Sequence, residues 1–288
     1  MKIDTLILSG GGIKCISQLG AIKYLIENDI ISEDLNEIEN IICVSGGIVV
    51  ILPLLLGLTI ESTIKLFIDV DLSKFFDFTD IKLDSIIENY GIYSNDNVID
   101  PILTILEHRN INKNITFKGL YELTKKNLVL KTVNISSGDI EYLNHENTPD
   151  LDIITGIKMT TCIPLFFQPI KYKGEYYVDG GLCGNFPLEY IKSEYNIFGL
   201  NIHSKQNIEI KNLFDYLSQI QKVVWRNIDK LTLIENDRII NLKVIGYPIN
   251  FEENIELKKN YINEGYHQTE KHFNSLKHTS SVHNQKED

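Results

Sequence analysis

Cysteine is scarce in this chain of 288 residues, and so is positive charge. The four cysteines, Cys15, Cys43, Cys162 and Cys183, have no C-x-x-C spacing. That argues against a zinc site or a disulfide framework and reads as free thiols in a reducing compartment. Lysine and arginine total 28 against 39 acidic residues, for a formal net charge of -11. A sequence-independent grip on nucleic acid needs a basic face, so nucleic acid is not an expected partner. Long apolar runs are missing too. The longest, "GGIVVILPLLLGLTI" at 46–60, falls short of the roughly 20 residues that cross a bilayer and reads as a buried helix. Pro53 inside it predicts a kink or a lost hydrogen bond to Val49. The amino-terminal apolar stretch is too short and too early for a signal peptide, and no cleavage site follows it. The expected location is cytoplasmic, with peripheral contact to membranes.

Apolar residues make up 43% of the chain and charged residues 23%, ordinary values for a globular protein. Without an internal repeat or a linker-like break, the simplest organisation is a single α/β domain over 1–276. The polar tail at 277–288 is expected to be disordered. A strand at 3–8, a helix at 15–28 and a strand at 38–44 followed by the apolar helix set the rhythm of a parallel sheet with covering helices. Residues 61–125 read as mainly helical, broken at Gly91 and Pro101. Strands at 128–135 and 139–144 flank a hairpin turn, "SSGD", and a helix covers about 150–161. A short strand pair surrounds Lys173-Gly174, and a strand follows at 195–202. The remainder reads as a helix at 211–235, a strand at 239–246 and a helix at 257–276.

Three glycine-containing turns carry the chemistry. The first, "SGGGIKC", places Gly10, Gly11 and Gly12 between a strand and a helix, where amides point outward at a positive helix end. A dinucleotide site would need an acidic residue after the second strand, and a P-loop would need G-K-[ST]; neither is present. An oxyanion that develops during a reaction fits best. The second turn, "CVSGG", puts Ser45 where a strand enters a helix, flanked by Gly46 and Gly47. That resembles a nucleophile elbow, although Cys43 stands where a glycine is usual, and an ordinary serine cap is the alternative. In a parallel sheet both turns lie on one rim. The third, "VDGG", sets Asp179 after an apolar strand with Gly180 and Gly181 behind it, either as a base for the serine or as a plain hairpin turn.

Together these motifs resemble the patatin-like phospholipases, serine acyl hydrolases with a Ser–Asp dyad. "GGGIKC" at 10–15, "CVSGG" at 43–47 and "DGG" at 179–181 match in order and spacing, and "TTCIPLFFQPI" at 160–170 resembles the segment before the aspartate strand. The resemblance covers about residues 1–205. It implies a three-layer α/β/α fold with a mainly parallel sheet, Ser45 as nucleophile, Asp179 as base, and Gly11 and Gly12 as oxyanion donors. It also implies Lys14 near the lipid phosphate or the oxyanion, and a lipid substrate reached at a membrane surface. No metal or cofactor is required, because the glycine loop does the electrostatic work. Cys15 and Cys43 depart from the pattern by replacing glycines. The phenylalanines of "LSKFFDF" (72–78) and "PLFFQP" (164–169) either line an acyl groove or belong to the core. Two rival readings stand beside the dyad: a triad of Ser45 and Asp179 with His203, which follows a strand, and a non-catalytic or weakly active lipid-binding module on the same scaffold.

Overall fold

A computed structural model describes residues 2–71, 87–203, 236–245 and 255–284, with isolated positions between 204 and 235. Short apolar runs form its centre. β1 (Thr5–Leu8), β2 (Asn40–Val44), β4 (Asn127–Asn134) and β9 (Ile197–His203) are almost wholly buried. Strands covered on both faces have no room for alternating polar residues, so they read as continuous apolar runs. Alternate side chains divide between two cores. Leu6, Leu8, Ile41, Cys43, Leu128 and Leu130 join the large core, while Ile7, Ile42, Val129, Ile197 and Ile239 pack with Phe186 on the opposite face.

The strand order is β10-β9-β1-β2-β4-β8-β7, with β5 (Asp139–Leu143) also on β4. β10 (Ile239–Lys243), β9, β1, β2 and β4 run parallel; β5 and β8 (Glu175–Asp179) pair antiparallel with β4, and β7 (Ile170–Tyr172) pairs antiparallel with β8. β4 is the strand that organises the site. Its register with β2 ends at Val44 opposite Lys131, and its register with β8 begins one residue later, at Thr132 opposite Asp179. β5 pairs with Leu130–Asn134, so β8 takes the same flank of β4 as β2. The ends of β2 and β8 therefore meet.

Helices α1 (Ile16–Glu27), α2 (Gly46–Leu55) and α3 (Ile60–Asp69) follow the first strands. α4 (Asp96–His108), α5 (Phe117–Thr124), α6 (Ile153–Thr161) and α7 (Ile255–Asn284) complete the helices whose limits are defined. Side-chain oxygens cap three of them: Thr59, Thr116 and Asp152 accept from the amides of Ser62, Gly119 and Thr155. α7 lies against α1 at backbone distance. A Cβ on Gly20 would sit 1.8 Å from the Ile262 carbonyl oxygen, and one on Gly265 would sit 1.8 Å from that of Ser17.

Several elements depart from the sequence reading. Gly91 starts a strand, β3 (Gly91–Tyr93), paired in parallel with β6 (Leu165–Phe167); a Cβ at Gly91 would lie 2.4 Å from the Phe167 backbone. α4 continues through Pro101 and α2 through Pro53. A proline removes one amide and so one bond to the residue four back, and both helices nevertheless continue past it. α7 runs to Asn284 rather than stopping at 276. The expected helix at 211–235 falls largely outside the described residues, as does "LSKFFDF" at 72–78.

Candidate active site

Two strand ends and one loop build the site. Ser45 follows β2 with φ 51° and ψ -130°, a conformation that costs a non-glycine residue about 1–3 kcal/mol and persists only where the surroundings enforce it. Its amide donates to Thr160 Oγ1 at 2.9 Å, and that hydroxyl donates to the Lys131 carbonyl at 2.6 Å. Close neighbours explain the glycines that follow. A Cβ on Gly47 would lie 2.8 Å from the Leu8 carbonyl oxygen, and one on Gly46 would lie 3.0 Å from that of Gly12. The elbow is therefore pressed directly onto the end of β1 and the glycine loop.

Asp179 closes β8 and is buried. Ser45 Oγ donates to its Oδ2 at 2.5 Å, and the Gly181 amide donates to its Oδ1 at 2.7 Å. Burial pushes the carboxyl up to about 7, against the opposing hydrogen bonds from Ser45 and Gly181 and the charge of Lys131. The carboxylate thus gains basicity near neutral pH. Gly180 is needed for space, since a Cβ there would sit 2.3 Å from the Lys131 carbonyl oxygen.

In the glycine loop the Gly10 amide is occupied by the Asn185 carbonyl at 3.1 Å. Gly12 has φ 59° and opens a 3-10 turn, Gly12–Cys15, that leads into α1. The loop lends Gly12, Ile13 and Cys15 to the wall of an apolar cavity of about 120 Å³, and Lys14, which is buried, does not line it. Ser45 sits in the same wall beside Pro53, Phe67, Ile105 and Phe167. Pro53 of α2 and Pro101 of α4 both face this space. Of the "PLFFQP" pair, Phe167 faces it, while Phe166 is buried beside it in a small core with Cys162.

Cys15 and Cys43 are fully enclosed. Burial drives the Cys15 thiol up to about 12, helped by the nearby Asp179 and opposed by Lys14, and burial also raises Cys43 far above its ordinary value. Neither is a thiolate under ordinary conditions. His203 ends β9 and is half-buried. Sequence reasoning missed Thr160, Lys131 and Asn185, whose contacts arise from strand pairing rather than from any local motif. No helix among the described residues is long and apolar enough to cross a membrane.

Residues 6–191 match the family model described as "Patatin-like phospholipase". Over 208 residues the chain is 30% identical to the probable lipid hydrolase 463L of Invertebrate iridescent virus 6, covering 70% of this chain and 65% of the viral one. It is 25% identical over 276 residues to an uncharacterized protein of Acanthamoeba polyphaga mimivirus, covering 91% of both. The crystal structure of VipD from Legionella pneumophila superimposes with a TM-score of 0.64 at 18% identity, over 96% of this chain and 67% of VipD. The chain thus spans about two thirds of the lipid hydrolase and of VipD, and the likeness to VipD is one of fold. With its glycine loop, serine elbow and Asp-Gly-Gly turn assembled on one sheet rim, and most of its length matched, this chain belongs to the patatin-like phospholipase family.

Proposed function

We propose that this protein is a lipid acyl hydrolase that cleaves a carboxylic ester of a phospholipid or a related lipid, with Ser45 as nucleophile and Asp179 as base. The hydrogen bond between Ser45 Oγ and Asp179 Oδ2, 2.5 Å long and set in the wall of an apolar cavity, carries this reading. Family membership and the name of the viral lipid hydrolase support the substrate class. Ser45 Oγ attacks the ester carbonyl as its proton passes to Asp179. The carbonyl oxygen becomes an oxyanion, held by the amides of Gly11 and Gly12 at the start of the 3-10 turn. Buried Lys14 adds positive charge behind this loop. As the tetrahedral intermediate collapses, the C–O bond breaks and the alcohol leaves with the proton from Asp179. Water then gives a proton to Asp179 and adds to the acyl carbon; Ser45 Oγ departs, recovers the proton, and a fatty acid is released. The acyl chain occupies the apolar cavity while the head group remains outside, so the enzyme works at a membrane surface.

A Ser45–Asp179–His203 triad requires an imidazole between the two oxygens, and the direct contact at 2.5 Å favours the dyad. The test is a fluorophosphonate probe together with fatty-acid release from phosphatidylcholine vesicles. The wild type is expected to label and to release fatty acid, and Ser45→Ala to do neither. A wild type inert in both assays overturns the proposal.

A further inference from the structure

Lys131 is a buried charged residue with no part in the mechanism just described. Lys131 has no exposed surface, although burying an ammonium costs several kcal/mol unless its partners compensate. It occupies the junction of β4 where pairing passes from β2 to β8. Its Nζ donates to the carbonyls of Cys183 at 3.0 Å and Gly184 at 3.1 Å, at the far end of the turn that begins at Asp179. The same Nζ pairs with Glu189 Oε1 at 2.6 Å, an oxygen that also accepts from the Tyr142 hydroxyl at 2.6 Å. Its carbonyl supports Ser45 through Thr160. One residue therefore braces both halves of the site, with its main chain toward the serine and its side chain toward the aspartate turn.

We propose that Lys131 is a positioning residue for this chemistry: its buried ammonium pins the turn after Asp179 and holds that carboxylate in place as an anion. The inference rests on the Ser45–Asp179 reading. A neutral side chain of similar length could fill the same space, so bracing alone does not call for a charge there. Asp179 acts on the thiols of Cys15 and Cys162, both raised by burial and hence uncharged, and buried Lys14 acts on Cys15 from the glycine loop. Lys131 is a cation whose charge acts on Asp179 itself. Glu189 tempers that cation from its far side. Burial works against the Glu189 charge, but hydrogen bonds from Lys131 and Tyr142 outweigh it and hold its carboxyl below the usual range. Its side chain is 41% exposed, so it changes with little risk to the core.

The test is the rate of fluorophosphonate labelling of Ser45 as a function of pH, with Lys131→Met, Lys131→Arg and Glu189→Gln beside the wild type. Loss of the cation should move the acid limb upward by about one pH unit or more, the size of effect expected from a charge close to a carboxylate. Lys131→Arg should keep the wild-type limb even if its rate falls. Glu189→Gln, which frees the lysine from its counter-ion, should move the limb downward and thus decides the matter even if Lys131→Met fails to fold. Limbs that superimpose in Glu189→Gln and in every folded Lys131 variant overturn the role for Lys131 alone. A wild type that does not label removes the underlying catalytic reading instead.

Discussion

Replacing Asp179 by asparagine should abolish turnover and, above neutral pH, make the protein more stable. The carboxyl has an ordinary value of 3.8 and is raised to about 7 in the fold, chiefly by burial. A group raised on folding holds its proton more tightly in the native state than in the unfolded chain. Its stabilising contribution is complete below the unfolded value and is lost as pH climbs through the folded one. With about 1.4 kcal/mol per pH unit, the penalty relative to an uncharged side chain is about 2 kcal/mol at pH 5 and about 4 kcal/mol at pH 8. Asparagine keeps the shape and an oxygen to accept from Ser45, and it does not ionise. The advantage of Asp179→Asn should therefore widen by 2 to 3 kcal/mol, roughly 5 °C in melting temperature for a chain of this size. Thermal melts of both proteins at pH 5, 6, 7 and 8 give the comparison directly. A gap that stays constant or narrows as pH rises would refute the reasoning, because Asp179 would then be an ordinary carboxylate with no raised proton affinity.

Labelling of wild-type Ser45 should fall about tenfold per pH unit below about 7, and His203→Ala should trace the same curve; a lost acid limb in that variant would make the imidazole the base. Alanine at Gly11 or Gly12 should cost about 10²–10³ in turnover, measured as fatty-acid release, because a side chain disturbs the proposed oxyanion donors. Thr160→Val leaves the buried Ser45 amide without its acceptor, for a loss of about 1–3 kcal/mol by denaturant unfolding together with slower labelling, and Thr160→Ser should restore both. Gly20→Ala forces a methyl against the Ile262 carbonyl, where no rotamer change relieves the contact, and should lower stability by at least about 1–3 kcal/mol in thermal melts.

The parts of this site that are legible in sequence are those with a local signature. Gly10–Gly12, Ser45 and Asp179 each lie at the end of an apolar run, and the parallel rhythm of β1 and β2 already implies that the first two share a rim. β3 escaped notice because three residues opening on a glycine carry no alternation, and Gly91 is explained only by the Phe167 backbone lying against it. Pro101 reads as a break, and Pro53 as a kink or a lost bond, because one missing amide is visible in sequence; both helices continue past their prolines. Lys131 stands within "LVLKTVNI" as an isolated charge in an apolar strand. Its worth depends on carbonyls more than fifty positions away, which only the turn after β8 brings near. Thr160 belongs to the segment "TTCIPLFFQPI", but its bond to the Ser45 amide spans 115 positions.

The close packing of α1 on α7 at Gly20 and Gly265 has a consequence in time. α1 carries the glycine loop on its amino end, yet the face that meets Ile262 and Tyr266 is finished only when α7 docks. More than two hundred residues separate the end of α1 from the start of α7. At about 5–20 residues per second, a ribosome takes roughly 10–45 s to bridge that interval. For that period a nascent chain holding the elbow, the glycine loop and then Asp179 has an uncovered first helix, so the loop lacks its final support. A chain whose α7 has not yet been made therefore lacks the surface on which α1 rests, and two glycines set how closely the two helices meet.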